Sequence, residues 1–416
     1  MEKIMYVYID LDEKPYFVGQ IWSRLRKGRE SASFEYSQEW LDRSNRFALE
    51  PGLVLMHGPQ HTPSSKNIFG AFGDSAPDRW GRLLMRRAER RQAESEKRAP
   101  QTLMEIDFLL RVNDFTREGA LRFSLEKNGP FLANNSPSIP PLLELPKLLS
   151  ATERLANEKD TAEDLRLLLA PGSSLGGARP KASVLDKRDQ LAIAKFPHQE
   201  DENNTVLWEA LALTLAHQAK IPVPKWRIEN VAGKSVLISH RFDRVGKKRI
   251  PFLSAMSLLS AHDNERRSYI EIVDAIRQYG SNVEANIHQL WRRMVFNILI
   301  SNSDDHLRNH GFLYDGHSGW ELSPAYDLNP IPVDIKARVL STNISLDDGT
   351  ASLELALSVA DFFDLTPKQA HAIIAEVAKA VSKWPQEAKR LGLTKSEMNR
   401  MASAFTHDDL QQALSL

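Results

Sequence analysis

The chain has 416 residues, 42% hydrophobic and 26% charged, a balance that suits a soluble globular protein of two or three domains. Its 54 Lys and Arg equal its 54 Asp and Glu, which argues against a nucleic-acid binder driven by bulk charge and leaves only a local basic patch open. It has no cysteine, so disulfides, thiolate nucleophiles, iron–sulfur clusters and Cys-ligated zinc are excluded, and a reducing, cytoplasmic setting fits.

The opening run IMYVYIDL (4–11) mixes aromatic and branched residues. DEKP then turns the chain into YFVGQIW, a hairpin pattern. Asp10, Asp12 and Glu13 break the apolar run too early for a secretory leader, and no stretch has the length and apolarity to span a bilayer. A helix is predicted from near Pro77, with Trp80, Leu83, Leu84 and Ala88 at helical spacing. On it Arg79, Arg82, Arg86 and Arg90 form a stripe, with Arg87 and Arg91 beside it. This reads as a solvated face, with a contact to a partner protein or DNA as the alternative.

Residues 127–146 hold five prolines and read as a linker or boundary. A helix is expected over 142–156. The glycine-rich segment 170–180 leads into KASVLD and QLAIAKF, two strands joined by KRD. Residues 205–219 predict a strong helix with Thr205 as a candidate cap, and SVLISHRF (235–242) predicts a strand. The rest is mostly helical, about 268–279, 285–302, 367–383 and 397–404. Thr366 before Pro367 and Thr394 with Glu397 mark helix starts. One hairpin interrupts them at 311–323. Strands first and helices later make an α+β fold.

The strongest chemical signal is NSDDHLRN (302–309), which follows an apolar helix, with SPAYDL (323–328) after the hairpin. Phosphoryl transfer needs a carboxylate to take the proton of the attacking hydroxyl, and hard oxygen ligands for magnesium. Asp304, Asn309 and Asp327 supply that set, and the spacing of Asp304 to Asn309 is that of a protein-kinase catalytic loop. A polar loop capping two elements is the plain alternative, since short motifs match by chance. The second signal is SSLGGARPK (173–181). Its glycines let backbone N–H groups approach phosphate, and Arg179 or Lys181 adds charge, although a Gly-Gly turn is the common explanation. The third is Lys195, a lysine in an apolar strand. A phosphate, or a carboxylate such as Glu209, would offset the cost of burying it. A solvent-facing strand position is the alternative.

GGARPKA, the strand lysine, HRFDR (240–244), NSDDHLRN and SPAYDL occur in this order and resemble the HipA family of bacterial serine/threonine kinase toxins. FGDSAPDRWGR (72–82) and DFTREGALRF (114–123) look like segments of the same family. The resemblance covers nearly the whole chain. It implies a protein-kinase-like two-lobed body with a small N-terminal β-containing domain, divided as 1–140, 141–245 with the glycine-rich loop, and 246–416 as the helical lobe. It implies ATP and Mg2+ as cofactors. Asp304 would be the proton acceptor, and Asn309 and Asp327 the magnesium ligands. Lys195 would hold ATP phosphates, and Gly176, Gly177, Ala178, Arg179, Pro180 and Lys181 would line the phosphate loop. His240, Arg241 and Phe242 would form the adenine hinge through their backbone. His306, Leu307, Arg308 and Tyr326 would complete the nucleotide site, His306 mainly as a structural hydrogen-bonder. Ser174, with Ser173 as the alternative, matches the regulatory autophosphorylated serine, where an added charge of about −1.5 to −2 would repel nucleotide.

Two positions depart from the family pattern. Arg308 stands where Lys is frequent, and His240 where an acidic residue can occur. The implied partners are a helix-turn-helix antitoxin of HipB type, with DNA reached only through it, and a protein substrate of the translation machinery such as an aminoacyl-tRNA synthetase. No membrane is implied. A scaffold that holds the antitoxin on its operator, and a small-molecule kinase on the same core, are the competing readings.

Overall fold

The computed structural model describes residues 2–132, 139–169, 177, 179–198, 201, 203–317 and 319–416. The chain divides into two units, one of residues 1–200 and 229–253, the other of residues 201–228 and 254–416.

The first unit opens with the expected hairpin. β1 (Glu2–Leu11) pairs antiparallel with β2 (Lys14–Arg26) across a turn in which Asp12 and Glu13 both take positive φ. The sheet continues through β3 (Arg29–Tyr36), β4 (Gln60–His61) and β5 (Leu121–Ser124) in the order β4-β3-β2-β1-β5. The sequence patterns did not single out the last three of these strands.

The second antiparallel ladder runs through β6 (Lys181–Leu185), β7 (Leu191–Lys195) and, after β8 (Trp226–Val231), β9 (Lys234–His240). Alternation along it sends Ala182, Val184, Ala192, Ala194, Val236 and Ile238 into one apolar cluster. Three helices, Arg79–Ser95, Leu145–Ala156 and Ala162–Leu169, fill that cluster with Trp80, Leu84, Leu148, Leu155 and Leu168. Asp78 caps the first helix by accepting from the Gly81 amide at 2.7 Å. The arginine stripe on it is only partly solvated. Arg79, Arg86 and Arg90 are exposed, but Arg82 grips Glu105 through two bonds of 2.6 Å, and Arg87 and Arg91 both pair with Asp160.

A buried ionic cluster ties the end of β9 to residues 114–122. Asp243 takes both prongs of Arg241, Arg244 Nη1 at 2.7 Å and the Gly119 amide at 2.8 Å. Arg241 also donates to the Thr116 carbonyl at 2.9 Å, and Arg244 to the Arg117 carbonyl at 2.5 Å. Next to it Asp114 holds Arg122 at 2.6 Å and Arg249 at 3.0 Å. Burial opposes ionisation of Asp243, but the Arg241 and Arg244 charges win and pull it from 3.8 to about 2.

The second unit is helical. Thr205–Gln218 is buried on every side, and Asn204 caps it in place of Thr205, accepting from the Leu207 amide at 3.2 Å. Thr205 turns its hydroxyl to Asp201 instead, at 2.8 Å. Helices follow at Tyr269–Tyr279, Val283–Leu299, Pro367–Val381 and Lys395–Met401, each within a few residues of expectation. Thr366 and Thr394 form the capping boxes. Short helices at Leu353–Ser358, Trp384–Arg390 and Asp408–Leu414 carry too few residues to show periodicity in sequence. Val283–Leu299 lies at the centre, with Trp291 fully buried 5.2 Å from Phe363. Trp384 stacks on Phe405 at 4.8 Å, and Trp208 closes the group. The hairpin Gly311–Tyr314 with Trp320–Leu322 passes so close to Gly280 that a Cβ on Gly319 would lie 2.6 Å from the Tyr279 carbonyl.

Asp243→Ala leaves Arg241 and Arg244 facing an empty buried site and should cost about 3–5 kcal/mol in urea unfolding. The carboxylate's stabilising effect is complete above its unfolded value near 3.8 and is lost as the pH falls through about 2. Asp243→Asn should therefore flatten the acid limb of the stability profile over that window.

Candidate active site

The apolar helix Val283–Leu299 delivers the chain into the 301–310 loop. Ser301 takes φ +52, which ends the helical path. Asn302 is clamped, donating to Asn297 Oδ1 at 3.0 Å and accepting from the Asn329 amide at 3.3 Å. This last bond joins the loop to the segment carrying Asp327.

Asp304 and Asp305 then face opposite ways. Asp304 is exposed, and its carboxylate makes no ion pair among the described residues. Asp305 is 1% exposed and is the loop's anchor. Its Oδ2 accepts from the Tyr269 hydroxyl at 2.6 Å, and its Oδ1 from the Ser341 and Thr342 amides at 2.9 and 3.3 Å. Its carbonyl accepts from the Thr342 hydroxyl at 2.6 Å and lies 3.2 Å from His310 Nε2. Burial pushes the Asp305 carboxyl up to about 7, against the pull of these donors. Burial also drives His310 down to about 3, so the ring is neutral.

Asn309 reaches back, donating from Nδ2 to the Asp304 carbonyl at 2.9 Å. Its Oδ1 is buried with no hydrogen-bond partner. Tyr326 donates to the Arg308 carbonyl at 2.6 Å, which holds the Asp327 segment against the loop. Asp327 itself takes φ +56, and its Oδ1 lies 3.5 Å from Asn329 Nδ2. A small cavity here is lined by Arg293, Asn297, Asn302, Asp305, Asn309 and Tyr326, among others. An orphaned amide oxygen and a carboxylate from the adjoining segment are the hard oxygen donors magnesium takes, so the residues fit that ion. Leu307 is buried. His306 leaves Nδ1 buried without a partner, and Arg308 pairs with exposed Asp263 at 3.2 Å.

The remaining candidates belong to the first unit. Ser173, Ser174, Gly176 and Ala178 lie outside the described residues. Gly177 takes φ +91, and its carbonyl accepts from the Trp80 amide at 3.4 Å. Arg179 is exposed, and the buried Pro180 accepts from the Phe196 amide at 2.9 Å. Lys181 differs from the expectation of a phosphate-facing charge. It is 3% exposed, and its ammonium is committed to Asp78 at 2.9 Å. The Trp80 indole donates to its carbonyl at 2.9 Å. Lys195 pairs directly opposite Lys181 in the ladder and is half-buried. Glu209, its suggested partner, belongs to the second unit. His240 Nδ1 lies 3.8 Å from Asp186. The Arg241 side chain is consumed by Asp243 and Thr116, so only its backbone remains for a ligand. Phe242 sits 6.4 Å from Phe252, ring to ring.

The sequence profile of the HipA-like C-terminal domain family matches residues 173–384, which carry Lys195, Asp304, Asn309 and Asp327. The chain belongs to this family. It is 25% identical over 214 residues to a Haemophilus influenzae protein described as a "Putative kinase". That stretch is 44% of this chain and 61% of the relative, so the match spans less than two thirds of the relative's length. The fold is that of HipA from Shewanella oneidensis, solved with HipB and operator DNA. The TM-score is 0.67 at 16% identity, over 99% of this chain and 96% of that one. A more distant likeness, TM-score 0.45 at 15% identity, links 58% of this chain to 90% of the Helicobacter pylori kinase CtkA.

Motif reading missed the support beneath the loop. Asp305, Asn302 and Asn297 were visible as polar residues in or before the motif, but Tyr269 and Thr342 lie far off in sequence and carry no local signal. Because Asp305 is protonated more readily folded than unfolded, its effect on stability should fall as the pH rises from about 4 to about 7. Asp305→Asn should abolish that slope in pH-dependent unfolding. At low pH it should cost about 1–3 kcal/mol for disturbed buried hydrogen bonds.

Proposed function

We propose that this chain is a serine/threonine kinase that uses ATP and magnesium. The observation that carries this reading is the pose of Asn309. Its amide nitrogen is spent on the Asp304 carbonyl, which leaves a buried oxygen with no donor, while the Asp304 side chain of the same loop is exposed and has no ion pair among the described residues. In this reading the acceptor hydroxyl attacks the γ-phosphorus, the bond to the β–γ bridging oxygen breaks, and ADP leaves. The hydroxyl proton passes to a carboxylate oxygen of Asp304. Asn309 and Asp327 would hold magnesium, which supplies neutralising charge for the phosphates when bound. Lys195 and the 176–180 loop would take phosphate oxygens, with Lys181 bonded to Asp78 instead. The backbone of His240–Phe242 receives adenine.

The finer readings follow the family. Ser174, or Ser173, is the site of self-inactivating phosphorylation. The partner is a HipB-like helix-turn-helix antitoxin that carries the complex to operator DNA. The substrate is a translation component of the aminoacyl-tRNA synthetase type, and the setting is cytoplasmic. Among the described residues no helix is long and apolar enough to cross a membrane. The chain is read in three parts, 1–140, 141–245 and 246–416.

Asp304→Asn should abolish phosphoryl transfer while Mg-ATP still binds; phosphorylation at the wild-type rate would remove Asp304 as the proton acceptor. Asp327→Ala should weaken ATP binding in a titration with magnesium, and unchanged affinity would count against its ligand role. Intact mass after incubation with ATP and magnesium should show one added phosphate on the wild type. Ser174→Ala should lose it unless Ser173 is the site.

A further inference from the structure

Five cations are buried among the described residues, and four of them have evident partners. Lys181 pairs with Asp78, Arg241 with Asp243 and Arg249 with Asp114. Arg117 makes no ion pair, but it donates to the carbonyls of Ser75, Leu109 and Val112 and lies over the Phe123 ring at 4.7 Å. Arg293 is the exception. It is 4% exposed, it makes no ion pair among the described residues, and its one hydrogen bond runs from Nη2 to the Ser323 carbonyl. Its Nε is buried with no partner. Arg292, beside it in sequence, pairs with Glu376 at 2.9 Å.

Burying a guanidinium without a counter-charge is costly, and an apolar side chain of similar volume would suit the interior better. A charge kept against stability marks a functional position. Burial brings the Arg293 guanidinium down to about 10, so it stays cationic at neutral pH. Its place shows what the charge acts on. Arg293 lines the small cavity together with Asn309 and with Tyr326, the residue before Asp327. The Ser323 carbonyl that it holds opens the segment carrying Asp327. Its charge is felt at His310, next to Asn309, where it adds to burial in keeping the ring neutral. Asp305 lines the same cavity, but both its oxygens are committed to Tyr269, Ser341 and Thr342.

We infer that Arg293 is a specificity-determining residue of this site, whose fixed positive charge favours a divalent metal bound to a nucleotide and disfavours the bare cation. The metal–nucleotide complex is a net anion and the free ion is a cation, so one field acts on them with opposite sign. In a buried setting that field is weakly screened. The inference rests on the kinase reading above and adds to it the form in which the metal is admitted. Asn309 and Asp327 alone would take a hard cation from solution. With Arg293 behind them, they take it together with the phosphates that offset both positive charges.

The test uses the full chain and two binding titrations. One follows Mg-ATP by calorimetry, and the other follows Mn2+ alone by the loss of its free-ion electron paramagnetic resonance signal. Arg293→Gln and Arg293→Met should weaken Mg-ATP binding about tenfold and tighten Mn2+ binding about tenfold, because removing one charge shifts the two ligands oppositely. Arg293→Lys keeps the charge and should stay within about twofold of wild type in both titrations. A merely structural role moves both ligands in the same direction, and moves the Lys variant as far as the Gln variant; that result overturns the inference. Unchanged affinities in the neutral variants overturn it too. So does loss of the fold in both of them by circular dichroism, which makes Arg293 a structural residue. In each of these outcomes wild type binds Mg-ATP and the kinase reading stands. If wild type binds no Mg-ATP, the kinase reading fails and the role of Arg293 falls with it.

Discussion

The candidate site depends on one buried carboxylate. Asp305 has its side chain in the interior and its neighbour Asp304 in water, and that opposition fixes how the loop presents its chemistry. Three donors from two distant segments, Tyr269 and the 341–342 backbone, converge on its two oxygens. A loop held only at its ends would let Asp304 wander through many rotamers. One held beneath Asp304 fixes that residue's backbone during folding, before any ligand arrives. The choice of partners matters. Neutral donors stabilise the carboxylate less than a guanidinium would, so burial keeps the group's proton affinity high.

Asp243 in the other unit makes the contrast. It is as deeply buried, but it faces Arg241 and Arg244, and its proton affinity falls where that of Asp305 rises. The same residue type, equally desolvated, is driven in opposite directions by the charge of its partners. The ionic cluster also explains why HRFDR is a poor place to look for side-chain ligands. Arg241, Asp243 and Arg244 are occupied with one another and with the carbonyls of residues 116 and 117. What the segment can offer a nucleotide is backbone, held in place by that cluster. Lys181 is a parallel case, a cation that looks free in the sequence and is claimed by the cap of a helix more than a hundred residues away.

Local patterns in the sequence were good guides wherever a single element carries its own signal. The first hairpin, the KASVLD/QLAIAKF pair, the long amphipathic helices, the Thr366 cap before Pro367 and the Thr394 capping box all appear where periodicity and turn chemistry put them. Strands β4 and β5 and the short helices near the C-terminus escaped notice because a few residues do not establish a period, and β3 because its inward face begins with Glu30 and Ala32, which give the alternation little apolar contrast. The cap of the 205–218 helix shifted by one residue, since Asn204 and Thr205 offer equivalent chemistry and only the neighbouring Asp201 decides between them.

The α+β class, the longer elements in their order and the candidate residues for accepting a proton or binding a hard cation were legible in the sequence, because these follow from side-chain chemistry and short-range spacing. Tertiary packing settled which of two adjacent aspartates faces water, that the buried Asn309 amide oxygen lacks a donor among the described residues, which arginines of the helical stripe are exposed, and that Lys336 bonds the Ser303 carbonyl in the 301–310 loop. Apart from the Asn309 contact to the Asp304 carbonyl in the same loop, each of those depends on partners tens of residues away. Burial and long-range hydrogen bonding exist only once the chain has closed on itself, and no window of sequence contains them.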